Sequence, residues 1–271
     1  MNIEGIGLIG LGHVGKNVLE RIEPIAPVVQ YDTAWGTPYP TEELAACDLA
    51  IVCVPTPSLA SGECDTSIVE KAVAALPCDR VWIRSTITPG TSDMLAERYG
   101  KRVCFSPEYV GETTFSDAYD LEEFMIVGGE PEDRRFIMDL VMRGPQRPSR
   151  FIQCTNTEAE LVKYMENAFL AAKVGLVAEF HELSETLGLD WYTVREAWLA
   201  DPRIGTAHSH ALSHDLGFSG KCLPKDVAAL CSFADRSGSP LKVLESVRDA
   251  NVERRDDVID LRAACEDSPQ G

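Results

Sequence analysis

The sequence predicts an α/β fold: a Rossmann-type, mostly parallel sheet domain over residues 1–153, followed by a helical domain over residues 154–271 built on one long central helix. This prediction rests on three observations. Short apolar runs alternate with helical patterns through the first half, the strand signal ends at about Cys154, and a long helical pattern follows. Alternating strands and helices are typical of a parallel sheet covered on both faces.

Six apolar runs predict buried strands, at residues 6–9, 28–31, 49–54, 81–83, 103–105 and 125–127. Helical patterns separate several of them, at residues 66–76, 91–98 and 133–142. The pattern at residues 157–187 is apolar around much of its circumference, and a helix of that kind is normally buried. We therefore expect it to pack against a second copy of the chain in a homodimer. The remainder, to Cys265, is predicted to be helical apart from a loop at residues 201–222.

Composition excludes several classes of partner. The net charge of −18 over 271 residues argues against nucleic acid and anionic membranes. No apolar stretch approaches the length of a membrane span, and the N-terminus lacks the pattern of a signal peptide. Nine cysteines without a Cys-x-x-Cys pair do not predict a disulfide or zinc framework, and Cys53 and Cys104 lie in strand-like runs as expected core residues. We expect a reducing, cytoplasmic location.

A glycine motif predicts a dinucleotide site. Gly10-Leu-Gly12-His-Val-Gly15 follows the first strand and opens a helix, and the second strand ends in Asp32. This order of strand, glycines, helix and acidic residue favours a pyrophosphate on the helix N-terminus. Asp32 would accept hydrogen bonds from the ribose hydroxyls and repel a 2′-phosphate, so NAD is expected rather than NADP. The predicted cofactor-binding residues of the loop are Gly10, Gly12, His13, Val14 and Gly15, although the His13 side chain most simply packs or faces solvent.

Cys222 is the strongest candidate for a reactive side chain. It lies in the run Gly217-Phe-Ser-Gly-Lys-Cys-Leu-Pro-Lys-Asp226, where Pro224 is predicted to be the first residue of a helix. Cys222 would then precede a helix N-terminus, where the macrodipole favours an anion. Lys221 and Lys225 flank it and favour the thiolate, whereas Asp226 opposes them. A nucleophilic thiol is therefore a better interpretation than a buried structural cysteine.

Further motifs occur in order along the chain: Val54-Pro-Thr-Pro57, Gly62-Glu-Cys-Asp65, Ser85-Thr-Ile-Thr-Pro-Gly-Thr91, Ser106-Pro-Glu108, Lys163-x3-Asn167, Asp201-Pro-Arg-Ile-Gly205 and the run 217–226. Together they resemble the UDP-glucose/GDP-mannose dehydrogenases, from about Gly5 to about Val252. The resemblance implies a four-electron oxidation, in which a primary alcohol on a nucleotide sugar becomes a carboxylate and two NAD are reduced.

The resemblance also implies roles for individual residues. Cys222 would capture the aldehyde as a thiohemiacetal, which is oxidised to a thioester and hydrolysed. Lys163 and Asn167, four apart on one helix and so on one face, would stabilise charge on the reacting oxygen. The other implied catalytic residues are Asp226, as acid/base, and a group that would orient the water that hydrolyses the thioester: Glu108, Glu112 and Thr86. The residues implied to contact the cofactor are Val54, Pro55, Thr56, Ser85 and Thr86. Those implied to contact the substrate are Arg203, Lys225, Phe218 and Gly220. Arg203 would reach the substrate of a neighbouring subunit.

Three departures from the family pattern suggest an altered substrate. Family members continue into another domain that supplies most of the nucleotide-sugar surface, and this sequence ends near its expected start, as a short form would. The segment between Asp32 and the strand at 49–54 is too short for the usual helix and strand. Asp215 and Ser219 stand where the family usually has glycine. The substrate could be a nucleotide sugar, or a nucleotide or nucleoside; truncation, a compact natural enzyme and a separate binding protein all remain open.

Two other functions remain as alternatives. A two-electron β-hydroxyacid dehydrogenase also pairs a Rossmann domain with a helical domain containing Lys-x3-Asn, but it needs no thiol nucleophile, so Cys222 distinguishes the two. The other alternative is a catalytically idle module that binds NAD for structure. His208, His210 and His214 form a His-x-His-x3-His run, but no acidic or cysteine spacing supports a metal, and none is expected.

Overall fold

The computed structural model describes residues 3–109 and 124–255. The chain divides into two compact units. The first comprises Met1–Pro57 with Asp65–Lys163, and the second comprises Ser58–Cys64 with Tyr164–Gly271. The domain boundary predicted after residue 153 stays a prediction.

The first unit contains a seven-stranded sheet in the order β2-β1-β3-β4-β5-β6-β7. Its strands are β1 (Ile6–Ile9), β2 (Val28–Tyr31), β3 (Leu49–Val52), β4 (Arg80–Ile83), β5 (Arg102–Phe105), β6 (Phe124–Gly128) and β7 (Arg150–Cys154). Neighbouring strands are parallel except β5 and β6, which pair antiparallel through Phe105 and Gly128. The predicted mostly parallel α/β sheet is therefore confirmed. The order reverses at β1, which lies between β2 and β3, and such a switch point opens a crevice at the carboxyl ends of the strands.

Helices cover both faces of this sheet: α1 (His13–Ile22), α2 (Thr41–Ala45), α3 (Ser67–Ala75), α4 (Thr91–Tyr99) and α5 (Pro131–Val141). Because strand side chains alternate between faces, adjacent residues join different cores. Val52 packs in the core under α3 and α4, whereas Ile51 packs in the core under α1 and α5. This double burial explains the near-continuous apolar runs in the sequence.

Two features of the sheet depart from a simple alternation. Strand β7 was not predicted, because it is the last strand in the sheet order and much of it is exposed, so it has no continuous apolar run. Between β2 and β3 the chain forms only the 3₁₀ helix Thr33–Trp35 and the five-residue α2. The expected short connection after Asp32 is therefore confirmed.

The second unit is helical. It contains most of α6 (Asn156–Thr186), together with α7 (Trp191–Leu199), α8 (Leu223–Arg236) and α9 (Lys242–Arg254). Its main core joins α6, α8 and α9 through Tyr164, Val227 and Leu244. The long central helix is confirmed. In the single chain its Phe169 is 70% exposed and its Met165, Leu176 and Leu183 are at least half exposed, and the packing of this helix against a second copy stays a prediction. Among the described residues, no helix is long and apolar enough to cross a membrane.

Candidate active site

The glycine loop of the first unit lies at the switch point between β1 and β3. Gly10 has φ +91°, and a Cβ there would lie 2.5 Å from the carbonyl oxygen of Cys53. A Cβ on Gly15 would lie 2.0 Å from the carbonyl oxygen of Gly10, so neither position accepts a side chain. A Cβ on Gly12, the N-cap of α1, would have no atom within 4 Å, and the first turn of α1 contains no acidic residue. The loop is thus tightly packed against the protein and open at Gly12, which suits a pyrophosphate at the helix N-terminus.

Asp32 lies directly after β2 and joins two backbone segments. Its Oδ2 accepts a hydrogen bond from the Leu11 amide at 2.7 Å, and its Oδ1 accepts one from the Ala34 amide at 2.9 Å. These bonds, the Leu11 bond most strongly, lower the pKa of Asp32. Asp32 is therefore an anion beside the glycine loop. Its remaining lone pairs can accept hydrogen bonds from ribose hydroxyls. The glycine loop and Asp32 therefore fit a dinucleotide.

The next two strand ends position the other predicted cofactor residues. Val54 follows β3, and its carbonyl oxygen accepts a hydrogen bond from the Ser85 hydroxyl, which follows β4, at 2.7 Å. Thr56 is buried, whereas Pro55 is exposed and Thr86 is half-buried. Since β3 and β4 are parallel neighbours, these residues lie at the same edge of the sheet as the glycine loop.

Glu108 is held by two cations of the first unit. Its carboxylate forms an ion pair with Arg84, and both side chains are only 10% exposed. Lys163 Nζ donates a hydrogen bond of 2.6 Å to the carbonyl oxygen of Glu108 and lies 5.2 Å from the ring centre of Tyr109. The structure thus brings together two of the predicted catalytic residues, Glu108 and Lys163. Glu112 lies outside the described residues.

Two supporting residues of this region were missed by the sequence analysis. Arg84 pairs with Glu108, and its position directly before Ser85 was the only signal. Glu160, fully buried on α6, accepts hydrogen bonds from the Gly90 amide at 2.6 Å and the Ser92 amide at 2.8 Å, at the N-terminus of α4. Burial raises the pKa of Glu160 to about 7. Glu160 therefore fastens the first turns of α6, which include Lys163, to the loop after β4.

Cys222 of the second unit lies at the start of a helix, as the sequence predicts. It is the N-cap residue of α8 and is exposed, whereas the other cysteines of the described residues are buried or half-buried. Helix α8 begins at Leu223, so Pro224 is its second residue and the prediction that it is the first was wrong by one position. Cys53 and Cys104 are confirmed as core residues, and burial raises the pKa of each thiol to about 12.

One turn after the thiol lies a buried, paired carboxylate. Asp226 is 1% exposed, its Oδ2 accepts from the Asn167 side-chain amide at 2.5 Å, and its Oδ1 accepts from Lys225 Nζ at 2.5 Å. Burial acts to lower the pKa of Lys225, but the charge and the hydrogen bond of Asp226, together with the thiols of Cys64 and Cys222, raise it by more, so the net shift is upward. The structure therefore joins three predicted site residues: Lys225 and Asp226 in the first turn of α8, directly after Cys222, and Asn167 on α6.

The backbone before Cys222 is fixed by a residue that was not predicted. Asn251 on α9 accepts from the Phe218 amide at 2.7 Å and donates to the Phe218 carbonyl oxygen at 2.9 Å. A Cβ on Gly217 would lie 2.5 Å from the Asn251 amide oxygen. The Phe218 side chain is buried in the core, whereas Gly220 is exposed with φ +79°. Of Phe218 and Gly220, both predicted to contact the substrate, only Gly220 is accessible in the single chain.

The long loop between α7 and α8 is anchored to both α6 and α7. Lys173 Nζ donates to the carbonyl oxygens of Ile204 and Gly205, at 3.0 and 2.8 Å. Arg195, buried on α7, donates to Ser209 and lies 3.3 Å from the His210 ring. On this loop Arg203 is exposed and paired with Asp201, and His208 adopts a left-handed backbone conformation with φ +56°.

Family models match both parts of the chain. Residues 35–143 match the NAD binding domain of the UDP-glucose/GDP-mannose dehydrogenase family, and residues 157–253 match the central domain of the same family. The UDP-glucose 6-dehydrogenase of Rickettsia bellii (strain RML369-C) is 31% identical over 246 residues, covering 85% of this chain and 55% of the relative. The chain thus spans about half the length of the curated relatives it matches.

Solved structures give the same fold. A UDP-glucose dehydrogenase from Pyrobaculum islandicum superposes with a TM-score of 0.80 at 26% identity, covering 93% of this chain and 68% of that one. A Mycobacterium tuberculosis 3-hydroxyisobutyrate dehydrogenase superposes with a TM-score of 0.74 at 17% identity, covering 98% of this chain and 99% of that one. At that identity the second likeness concerns the fold alone.

Proposed function

The chain belongs to the UDP-glucose/GDP-mannose dehydrogenase family, and from this premise we propose that it oxidises a primary alcohol to a carboxylate, with two NAD, on a nucleotide sugar or a related nucleotide or nucleoside. The observation that supports this best is the exposed Cys222 at the N-terminus of α8. A two-electron alcohol oxidation needs no thiol, whereas oxidation of an aldehyde to an acid gains from covalent capture.

The chemistry uses the thiol between two oxidations. The alcohol first loses a hydride and a proton and becomes an aldehyde. The thiolate of Cys222 adds to the carbonyl carbon, and the oxygen takes a proton to form a thiohemiacetal. Loss of a second hydride and a proton gives a thioester, and water then cleaves the carbon–sulfur bond, releasing the acid and the thiol. NAD, when bound, accepts the hydride of each oxidation.

The contacts within each unit support separate roles. In the first unit, Lys163 is held at the Glu108 segment and supplies positive charge to the reacting oxygen, while Glu108, Glu112 and Thr86 orient the attacking water. In the second unit, Asp226 accepts and returns the proton of the reacting oxygen, and its bond to Asn167 holds both groups in place.

The oligomer is part of this proposal. The exposed apolar side chains of α6 recur at spacings of three, four and seven residues: Leu161, Met165, Phe169, Leu176, Phe180 and Leu183. That spacing is typical of a helix face that packs against another helix. We propose a homodimer through this face, with the exposed Arg203 directed to the substrate of the partner subunit. A thiol nucleophile also favours a reducing compartment, so the cytoplasm is proposed.

The test is the yield of NADH per molecule of limiting substrate. UDP-glucose, other nucleotide sugars, nucleotides and nucleosides are supplied to wild type, to Cys222→Ser and to the control Cys154→Ser, whose thiol is half-buried in β7. We expect about two NADH and one carboxylate from wild type and the control, because the acid is reached by two hydride transfers. Cys222→Ser should bind NAD but fail to produce acid over multiple turnovers.

Other outcomes would refute the proposal in distinct ways. A yield of about one NADH per substrate, with an aldehyde or ketone that is not oxidised further to an acid, would indicate a two-electron dehydrogenase. Sustained acid production by Cys222→Ser would remove the thiol from the mechanism. NAD binding without NADH formation across the panel would favour the idle module.

A further inference from the structure

Trp35 differs from the other tryptophans of the chain. Trp82 and Trp191 are buried in hydrophobic cores, and Trp198 packs against the core around Trp191. Trp35 is 51% exposed and belongs to none of the hydrophobic clusters of the described residues. An indole ring has a large apolar surface, so leaving it in water forgoes the stabilisation that burial would give. Its ring is therefore available to contact a ligand.

The position of Trp35 is fixed by Asp32. The Asp32 Oδ1 atom accepts from the Ala34 amide and so caps the 3₁₀ turn Thr33–Trp35. Gly36 ends this turn in the left-handed conformation, with φ +65°, and its amide donates to the Thr33 carbonyl oxygen at 3.3 Å. The other oxygen of Asp32 accepts from Leu11 in the glycine loop. Trp35 is thus held three residues beyond the carboxylate that is proposed to bind ribose.

We propose that the indole of Trp35 stacks on the adenine ring of NAD. This inference rests on the NAD placement given above and deepens it. Adenine is bonded directly to the ribose that Asp32 would hold, so a flat residue beside Asp32 can reach the face of the base. Aromatic side chains bind bases through this face, which is apolar and uncharged.

The surrounding charges agree with this ligand. Residues 33–41 contain no lysine or arginine, and Glu42 and Glu43 follow them. The segment therefore offers an aromatic surface and no cation for a 2′-phosphate. Trp35 accordingly acts as a specificity residue for the adenosine half of NAD.

Binding measurements on the whole chain test this without any sugar substrate. Calorimetric titrations compare NAD, ADP-ribose and nicotinamide mononucleotide, of which only the last lacks adenine, and ATP serves as an adenine nucleotide outside the NAD class. The variants are Trp35→Ala, Trp35→Phe and the control Tyr192→Ala, which removes an exposed aromatic ring from the second unit. Trp35→Ala should weaken the binding of NAD and of ADP-ribose about 5- to 30-fold, the equivalent of ~1–2 kcal/mol of base stacking. It should leave the affinity for nicotinamide mononucleotide unchanged. Trp35→Phe should keep most of the affinity, and Tyr192→Ala all of it.

Fluorescence gives a second readout that a merely structural role would not move. ADP-ribose should quench the tryptophan emission of wild type, and Trp35→Phe should abolish that quenching. Equal ADP-ribose affinity in wild type and Trp35→Ala would overturn the inference, as would an equal loss of mononucleotide binding. Tighter, Trp35-dependent binding of ATP than of ADP-ribose would also overturn it. Absence of NADH formation alone would refute the proposed reaction and leave this result intact.

Discussion

The buried carboxylate of Glu160 should make the stability of the chain fall as pH rises. Glu160 accepts from the Gly90 and Ser92 amides at the N-terminus of α4, and Asp93 lies close enough to oppose its ionisation. Burial is the largest influence and raises the pKa of Glu160 from 4.5 to about 7 in the folded chain. A carboxyl with a higher pKa when folded binds its proton more tightly in the folded state. Its contribution to stability is therefore complete below its ordinary pKa and is lost as pH rises to about 7.

The size of this effect follows from the two pKa values. A shift from 4.5 to about 7 gives a loss of roughly 2.5 kcal/mol in the free energy of unfolding between about pH 5 and pH 8. That is a large share of the free energy of unfolding of a typical domain, which is roughly 5–15 kcal/mol. The Glu160→Gln variant cannot ionise at this position, so its unfolding free energy should lack this decline. The side-chain amide nitrogen that the substitution introduces would also face one of the two backbone N–H groups, which lowers stability by a constant amount at every pH.

Urea unfolding at several pH values between about pH 5 and pH 8 measures the difference between wild type and Glu160→Gln. Other groups titrate in this range, among them His208, whose pKa is lowered by burial, but they affect both proteins alike. Glu158→Gln, two residues away on the same helix, is the matched control, because Glu158 is exposed and its pKa is lowered by hydrogen bonds from Thr155. Parallel curves for wild type and Glu160→Gln would refute the reasoning and show that the two amides hold the carboxylate ionised.

Two further substitutions test the cofactor site and the dimer. Asp32→Ala should weaken NAD binding about 10- to 100-fold, since each hydrogen bond to a charged group is worth ~1.5–3 kcal/mol. Asp48→Ala, which removes a carboxylate that accepts from the Glu4 amide, is its calorimetric control, and an unchanged NAD affinity in Asp32→Ala would contradict the placement. Phe169→Glu should shift the chain from dimer to monomer in light scattering, because it puts a charge in the apolar face of α6. Val243→Glu, an equally exposed apolar site on α9, should not, and a wild type that is already monomeric would refute the dimer.

Much of the fold could be predicted from the sequence because burial on both faces leaves a visible pattern. Strands β1 and β2 were placed to the residue, and β3 was extended by two residues because Cys53 and Val54 continue the apolar run. Strand β7 was missed because an exposed strand alternates too weakly to register as an apolar run. The apolar circumference of α6 was visible in the sequence. Which of its apolar side chains stay exposed in the single chain was not visible, because a sequence does not show which of them its own chain covers.

The supporting residues of the site could not be predicted for a different reason. Arg84 contacts Glu108 across 24 residues, Asn251 contacts Phe218 across 33, and Glu160 contacts Gly90 across 70. Such contacts have no local spacing, so only the folded chain reveals them. The motif residues could be singled out because they lie within a few positions of one another along the sequence, as in the glycine loop or the turn from Cys222 to Asp226.

The electrostatics at Cys222 change when the structure is considered. From the sequence, Lys221 and Lys225 both favour the thiolate. In the structure Lys225 Nζ lies 2.5 Å from Asp226 Oδ1, so its charge is largely balanced by a carboxylate that is buried at the same helix end. Lys225 therefore presents the thiol with a nearly neutral ion pair, which leaves Lys221 and the backbone at the N-terminus of α8 as the local sources of positive potential.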